Sequence, residues 1–310
     1  MKSSQRRKYT HRILLMIISA FFLMCITSGN IFAQPADWPG TEAEREAWYT
    51  DELEGIQILP GQWRPHYPWE HIAWIKPPWP THDYISMDFP EVVRPGEERL
   101  YLSHINPPFP QKYPDLPAVP WRHIDGGIEF ERTLPNGLEF GGRLTVADET
   151  TVALCIFVRN GTSEPLKDIK LQTCAFLRHS VEFGKYTRDN KFVHVQKRGW
   201  IPFDVARESG EEGGLYRLGW FAGPTAADLP VMVTKGGPVR IGGPETNRMV
   251  AFTWDEHTYS LISNPNRPCM HADAKMDDLA PGVRGEINGR LIFFEGTIEE
   301  FQQKYFSDVD

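Results

Sequence analysis

The signatures of several large enzyme classes are missing from this chain. There is no G-x-S-x-G, no H-E-x-x-H, no G-x-x-x-x-G-K-S/T, and no glycine-rich dinucleotide fingerprint after a strand. Serine-hydrolase, zincin and nucleotide chemistry are therefore disfavoured. Positive charge is also short, with 33 Lys and Arg against 41 Asp and Glu and a net −8. That balance argues against nucleic acid and anionic membrane surfaces as partners, and is neutral towards an uncharged sugar. Cysteine is scarce, at four in 310 residues. With Cys25 in a leader, Cys155, Cys174 and Cys269 remain. An odd number allows at most one internal disulfide with one thiol over, or three buried apolar cysteines. No repeat or low-complexity tract appears.

What is present begins with a leader. Lys2, Arg6, Arg7, Lys8 and Arg12 precede an apolar run from Ile13 to Ile26, and Ala33 offers a small residue before a cut. Residues 1–33 thus read as a secretory signal peptide, too short and early for a membrane span. The expectation is a secreted or periplasmic protein with no membrane span after cleavage, made still more acidic by losing those five cations. Residues 34–123 read as a Pro- and Trp-rich, mostly irregular segment packed on the core, since six of ten tryptophans fall before residue 80. A disordered linker would lack them. Thr41 with Glu44 predicts one helix, closed near Gly55.

From residue 124 the texture changes to alternation. A Pro-Asn-Gly turn at 135–137 joins two arms of a hairpin. Val152, Leu154, Ile156 and Val158 line one face of a strand whose other face is also apolar, as inside a sandwich. Asn160-Gly161 turns the chain towards a partner strand through Ile169, Leu171 and Cys174. More strands are predicted at 214–221, 230–234, 249–254, 259–263 and 286–295, with Gly or Pro between them. Thr297 and Glu300 cap a short terminal helix. Asn160-Gly161-Thr162 fits a glycosylation sequon but reads as a plain turn. The fold expected is all-β, a large antiparallel β-sandwich over 124–310, in one unit with 34–123. Leu154, Ile156, Phe176 and Phe293 are expected between its sheets.

Three constellations carry chemistry. In "NRPCMHADAKMDDLAPG" (266–282), an extended backbone sends Cys269, His271 and Asp273 to one face. Such a set either holds a catalytic histidine in one tautomer or, with His257, binds a divalent metal. No cofactor is otherwise expected. In "PWEHIAWIKPPWPTHDY" (68–84), four prolines argue against a helix or central strand. Its His71 and His82, with Tyr84, are acid–base equipment, and Trp69, Trp74 and Trp79 are flat surfaces for sugar rings. Proline stiffness makes it a candidate wall of a cleft shared with His271. Third, Arg178, His179 and Arg198 lie in a cationic stretch (176–200) suited to an acidic sugar.

The runs "ERTLPNGLEF", "VALCIFVRNGTSEPLKDIKLQTCAFL", "SNPNRPCMHADAKMDDLAPG" and "GRLIFFEG" resemble secreted bacterial β-sandwich proteins. The closing Pro-Gly turn and long apolar strand are similar to those of galactose-mutarotase-like supersandwich proteins. That resemblance implies a supersandwich fold in a superfamily holding sugar epimerases, polysaccharide lyases and non-catalytic sugar-binding domains. The expected function is a carbohydrate-active protein using His/Tyr acid–base chemistry, lyase- or epimerase-like. The rivals are a non-catalytic sugar-binding or surface-assembly module and a metal-dependent hydrolase.

Overall fold

A computed structural model of the chain describes residues 54–307, apart from 62–69, 97, 99, 103–111, 114, 185–189, 196, 207–215, 220–226, 240–242 and 264–266. The leader, the helix expected after Thr41, and Trp69 fall outside the described residues. In chain order the first strands are β1 (Gln57–Gly61), β2 (Ile72–Lys76), β3 (Ile85–Arg94), β4 (Leu100–Tyr101), β5 (Arg122–Ile124) and β6 (Gly127–Thr133). Then come β7 (Leu138–Asp148), β8 (Thr151–Asn160), β9 (Ile169–Phe176), β10 (Lys191–Val195), β11 (Gly199–Pro202) and β12 (Tyr216–Gly219). The last are β13 (Val231–Lys235), β14 (Arg248–Thr253), β15 (Thr258–Ser263), β16 (Cys269–Met276) and β17 (Arg284–Glu295). Among the described residues two helices join them, α1 (Phe203–Ala206) and α2 (Ile298–Tyr305).

These strands make two antiparallel sheets. The first runs β1-β2-β3-β9-β16-β15-β12, with β4 also paired to β3; the second runs β11-β10-β13-β14-β17-β8-β7-β6-β5. The main core lies between them. Ile85, Met87, Leu171, Ala175, Met270 and Ala272 enter it from the first sheet, and Phe130, Phe140, Leu154, Ile156, Leu291 and Phe293 from the second. The all-β antiparallel sandwich expected from alternation is the fold observed. The capping box at Thr297 and Glu300 is present at the start of α2, which lays Ile298 and Phe301 on the outer face of the second sheet.

Two expectations are corrected. The Pro/Trp-rich segment does more than pack on the core: its strands β1 to β4 are half of the eight-stranded sheet, and β3 is central, buried at nine of its ten residues. The strand β2 is the proline-free window Ile72–Lys76 inside the proline-rich stretch, paired with both β1 and β3. Prolines bound that strand instead of forbidding it. Pro90 sits within β3 at a bulge, where three residues stand between Asp88 and Val92 opposite the single Thr173 of β9. A ladder donor is not required there. Phe176 is also not between the sheets. Along β9, Leu171 and Ala175 point inward, so Cys174 and Phe176 point out, where they pack with Cys269.

Asn160 is the closing residue of β8 and is fully buried. Its Nδ2 donates to the carbonyls of Glu164 and Leu279 at 2.8 and 2.9 Å, and its Oδ1 accepts from the Thr162 N–H and hydroxyl. The sequon is thus a turn stitched by its own asparagine.

Candidate functional site

The outer face of the first sheet carries the densest chemistry. On β16 the inward residues are Met270, Ala272 and Ala274. Alternation therefore puts Cys269, His271 and Asp273 on the outer face, as expected from the sequence. Neighbouring strands add the rest. Asp88 of β3 pairs with Cys174 of β9, and Cys269 of β16 stands opposite Phe176. The bulge in β3 turns Glu91 the same way, so that Gln172 Nε2 donates to Glu91 Oε2 at 2.8 Å.

His271 is the centre of this cluster and is 6 % exposed. Its Nδ1 lies 3.1 Å from the Thr173 carbonyl and 3.4 Å from Glu91 Oε2. Both neighbours are acceptors, so Nδ1 carries a proton. Burial disfavours an imidazolium here, but the Cys269 sulfur and the carboxylates of Glu91 and Asp273 outweigh it and raise the pKa to about 9. A hydrogen bond from Cys174 lowers Cys269, against burial and with help from His271, to about 6. Cys174 is pushed up by that same bond and by burial. Ser260 donates to Asp273 Oδ2 at 3.0 Å. The Cys174, Cys269 and His271 donor atoms all lie within 4.8 Å of one another.

Beside the cluster, on the same face, runs a row of rings. Trp74 tilts against Tyr84 with centroids 5.0 Å apart, Tyr84 stacks on His179 at 4.7 Å, and His179 meets the edge of Phe176 at 6.2 Å. Phe176 is buried, Trp74 and Tyr84 are half-buried, and His179 is exposed. The chain makes room for Trp74 with Gly61, where an added Cβ would collide with the indole. Burial, then the neighbouring Arg178, lower the His179 pKa, which keeps its imidazole neutral at pH 7.

The other expected residues are dispersed. His71 is 1 % exposed and points into the core, stacked on Phe130 at 3.5 Å and edge-on to Trp121, with Nε2 3.1 Å from the Val119 carbonyl. A cleft shared by His71 and His271 is therefore excluded, because they occupy opposite faces of one sheet. His82 is exposed in the loop before β3. Trp79 is in the core, edge-on to Phe293 and under Arg248, and borders an open cleft of about 840 Å³ with Lys76, Phe294, Glu295 and Lys304. That cleft holds none of the thiol and imidazole groups. Trp74 and Trp79 thus do not face one site. Arg178 is exposed after β9, while Arg198 is exposed on the β10–β11 turn of the other sheet. His257 lies in a 3-10 turn, 3.9 Å from Glu256, and Cys174 takes the place expected for it beside Cys269 and His271.

Sequence reasoning also missed Glu91, and it missed Asp228, whose Oδ1 lies 2.6 Å from Nδ1 of His194 in the cationic stretch, beside Trp200. No protein-family model matches the chain. No curated protein matches it either. Among solved structures it is similar to the GalM/aldose epimerase homologue from C. elegans, at 11% identity and a TM-score of 0.39, covering 79% of this chain and 97% of that one. It is likewise similar to galactose 1-epimerase from Lactobacillus acidophilus, at 7% identity and a TM-score of 0.38, covering 79% and 100%. These neighbours are aldose epimerase-like proteins. At such identities no residue role passes from them to this chain.

Proposed function

We propose that this is a secreted or periplasmic carbohydrate-active protein whose ligand lies along the ring row of the first sheet's outer face. The observation that carries the proposal is the contact chain Trp74–Tyr84–His179, three rings held on adjoining elements with half-buried to exposed surface. A pyranose presents an apolar C–H face that such rings stack against, while its hydroxyls bond to polar groups at the edge. Arg178, next to His179 and exposed, suits a carboxylate or sulfate on an acidic sugar. Tyr84 then supplies a phenolic proton and neutral His179 accepts one, which is the equipment for epimerase- or lyase-like proton transfer.

Thermal-shift screening against neutral and acidic oligosaccharides, followed by tryptophan fluorescence titration, tests this. Trp74→Ala is expected to abolish binding of whichever sugar stabilises the wild type. Tyr84→Phe is expected to retain binding and lose turnover if the protein is an enzyme, and to change neither if it is a binding module. Undiminished affinity in Trp74→Ala would refute the site.

A further inference from the structure

We infer that Cys174, Cys269 and His271 form a binding site for one thiophilic metal ion of the zinc class. The site goes beyond the sugar row and stands or falls separately from it. Three donors of the right kind converge, two sulfurs and one imidazole, with their ligand atoms mutually within 4.8 Å. In a tetrahedral zinc centre, metal–sulfur bonds near 2.3 Å and metal–nitrogen bonds near 2.0 Å hold ligand atoms roughly 3.5–3.8 Å apart. From a separation of at most 4.8 Å, that spacing is a movement of about 1 Å away. A sulfur-rich N/S set of this kind selects zinc or copper(I) over magnesium or calcium, which require oxygen.

The backbone explains why the two cysteines meet without bonding to each other. Cys269 stands opposite Phe176, so Cys174 is its diagonal neighbour across the β9–β16 ladder. Diagonal neighbours on antiparallel strands have Cα atoms about 7–8 Å apart, beyond the usual disulfide span of about 4.4–6.8 Å. An ion between the sulfurs bridges that distance where an S–S bond does not.

The histidine is already oriented as a ligand. Nδ1–H faces the Thr173 carbonyl at 3.1 Å and the Glu91 carboxylate at 3.4 Å. That holds Nδ1 as the donor and leaves Nε2, once its own proton is lost, as the ligand atom, the arrangement in which a carboxylate or carbonyl supports a metal-bound imidazole. Glu91 is held in turn by Gln172. Nearby buried Asp88 and Asp273 make the surroundings favourable to a cation. On binding, His271 Nε2 and each thiol that still carries a proton release it to solvent, so that a neutral imidazole and two thiolates coordinate. The ion ties β9 to β16, with three protein ligands and one position left for water or a carboxylate.

Cobalt(II) is the probe. The full chain, purified reduced and stripped with a chelator, is titrated anaerobically with Co²⁺ while absorption is followed. One equivalent is expected to produce the visible d–d bands of tetrahedral cobalt and a thiolate-to-cobalt charge-transfer band, both displaced by one equivalent of Zn²⁺. Cys174→Ser and Cys269→Ser are each expected to lower zinc affinity by about 10-fold or more. His257→Ala and Trp74→Ala should leave the spectrum unchanged, the latter separating this site from the sugar row. A wild-type titration without thiolate bands, in protein whose circular dichroism is native, would overturn the assignment without needing any variant. So would a spectrum that survives Cys174→Ser or disappears in His257→Ala.

Discussion

Replacing His71 with Phe should flatten the acid side of the protein's stability profile. His71 is packed between Phe130 and Trp121, and its pKa is lowered from 6.5 to about 3 by burial and by the nearby Arg132 cation, against the Val119 hydrogen bond. Arg132 is itself buried, and burial lowers it to about 10. In the unfolded chain His71 binds a proton near its ordinary pKa, about 6.5, whereas in the fold it resists one until pH 3. The unfolded state therefore binds more protons across that window, and stability falls as pH falls through it. The loss is about 1.4 kcal/mol per pH unit, or about 2 kcal/mol between pH 7 and pH 5. Phe keeps the stack but strands the Val119 carbonyl, at a pH-independent cost of about 1–3 kcal/mol. The variant should thus be less stable at pH 7, and its curve should meet that of the wild type near pH 5. Urea denaturation at half-unit pH steps reads both curves, and taking their difference cancels every other titrating group. If the two proteins lose stability in parallel from pH 7 to 5, His71 is not a buried neutral imidazole and its placement in the core is wrong.

Ile156→Asp should cost about 4 kcal/mol or more, because it puts an unpaired charge at a fully buried core position; melting within a degree or two of wild type would show that β8 is not central. Asn160→Ala should cost about 2–4 kcal/mol by stranding the Glu164 and Leu279 carbonyls, and a eukaryotic expression host should add no glycan at the wild-type site, as mass spectrometry would show. Gly61→Ala should displace the Trp74 indole, shifting its fluorescence and weakening sugar binding while changing stability less than Ile156→Asp does; unchanged sugar affinity would detach Trp74 from the ligand.

Much of the sandwich is legible in the sequence because alternation is a local property. Val152 to Val158 and the turn at 135–137 announce their strands without knowledge of any partner. So does the Thr297 capping box, since all its bonds lie within one turn. The proline-rich stretch misleads because its proline content describes the whole segment, whereas a strand needs only a window free of prolines. Five residues, Ile72–Lys76, suffice once neighbours on both sides supply the ladder. Phe176 misleads for a different reason. Its face of β9 changes character along the strand, polar at Lys170 and Gln172 and apolar at Cys174 and Phe176, while the other face carries Ile169, Leu171 and Ala175. Which face meets the second sheet depends on pairing, and pairing is not a local property.

The site divides along the same line. That Cys269, His271 and Asp273 share a face follows from the period of a strand, and the structure places them so. That Cys174 and Glu91 join them does not, because Cys174 arrives through the β9–β16 register and Glu91 through the bulge in β3. The two histidines make the contrast plain. His71 and His271 are both almost fully buried, and each has a ring nitrogen facing a backbone carbonyl. One is driven to about 3 and the other to about 9. The difference is what else lies within reach: Phe130, Trp121 and the Arg132 cation for His71, two thiols and two carboxylates for His271. Desolvation alone lowers a histidine, and only an opposing negative charge reverses it. For His271 such charges come from two directions: Cys269 and Asp273 flank it on its own strand, and Glu91 arrives from β3, far away in the chain. A histidine's chemical role in this fold is therefore set by the face its strand presents together with its cross-strand partners, and the outer face of the first sheet is where both supply negative charge.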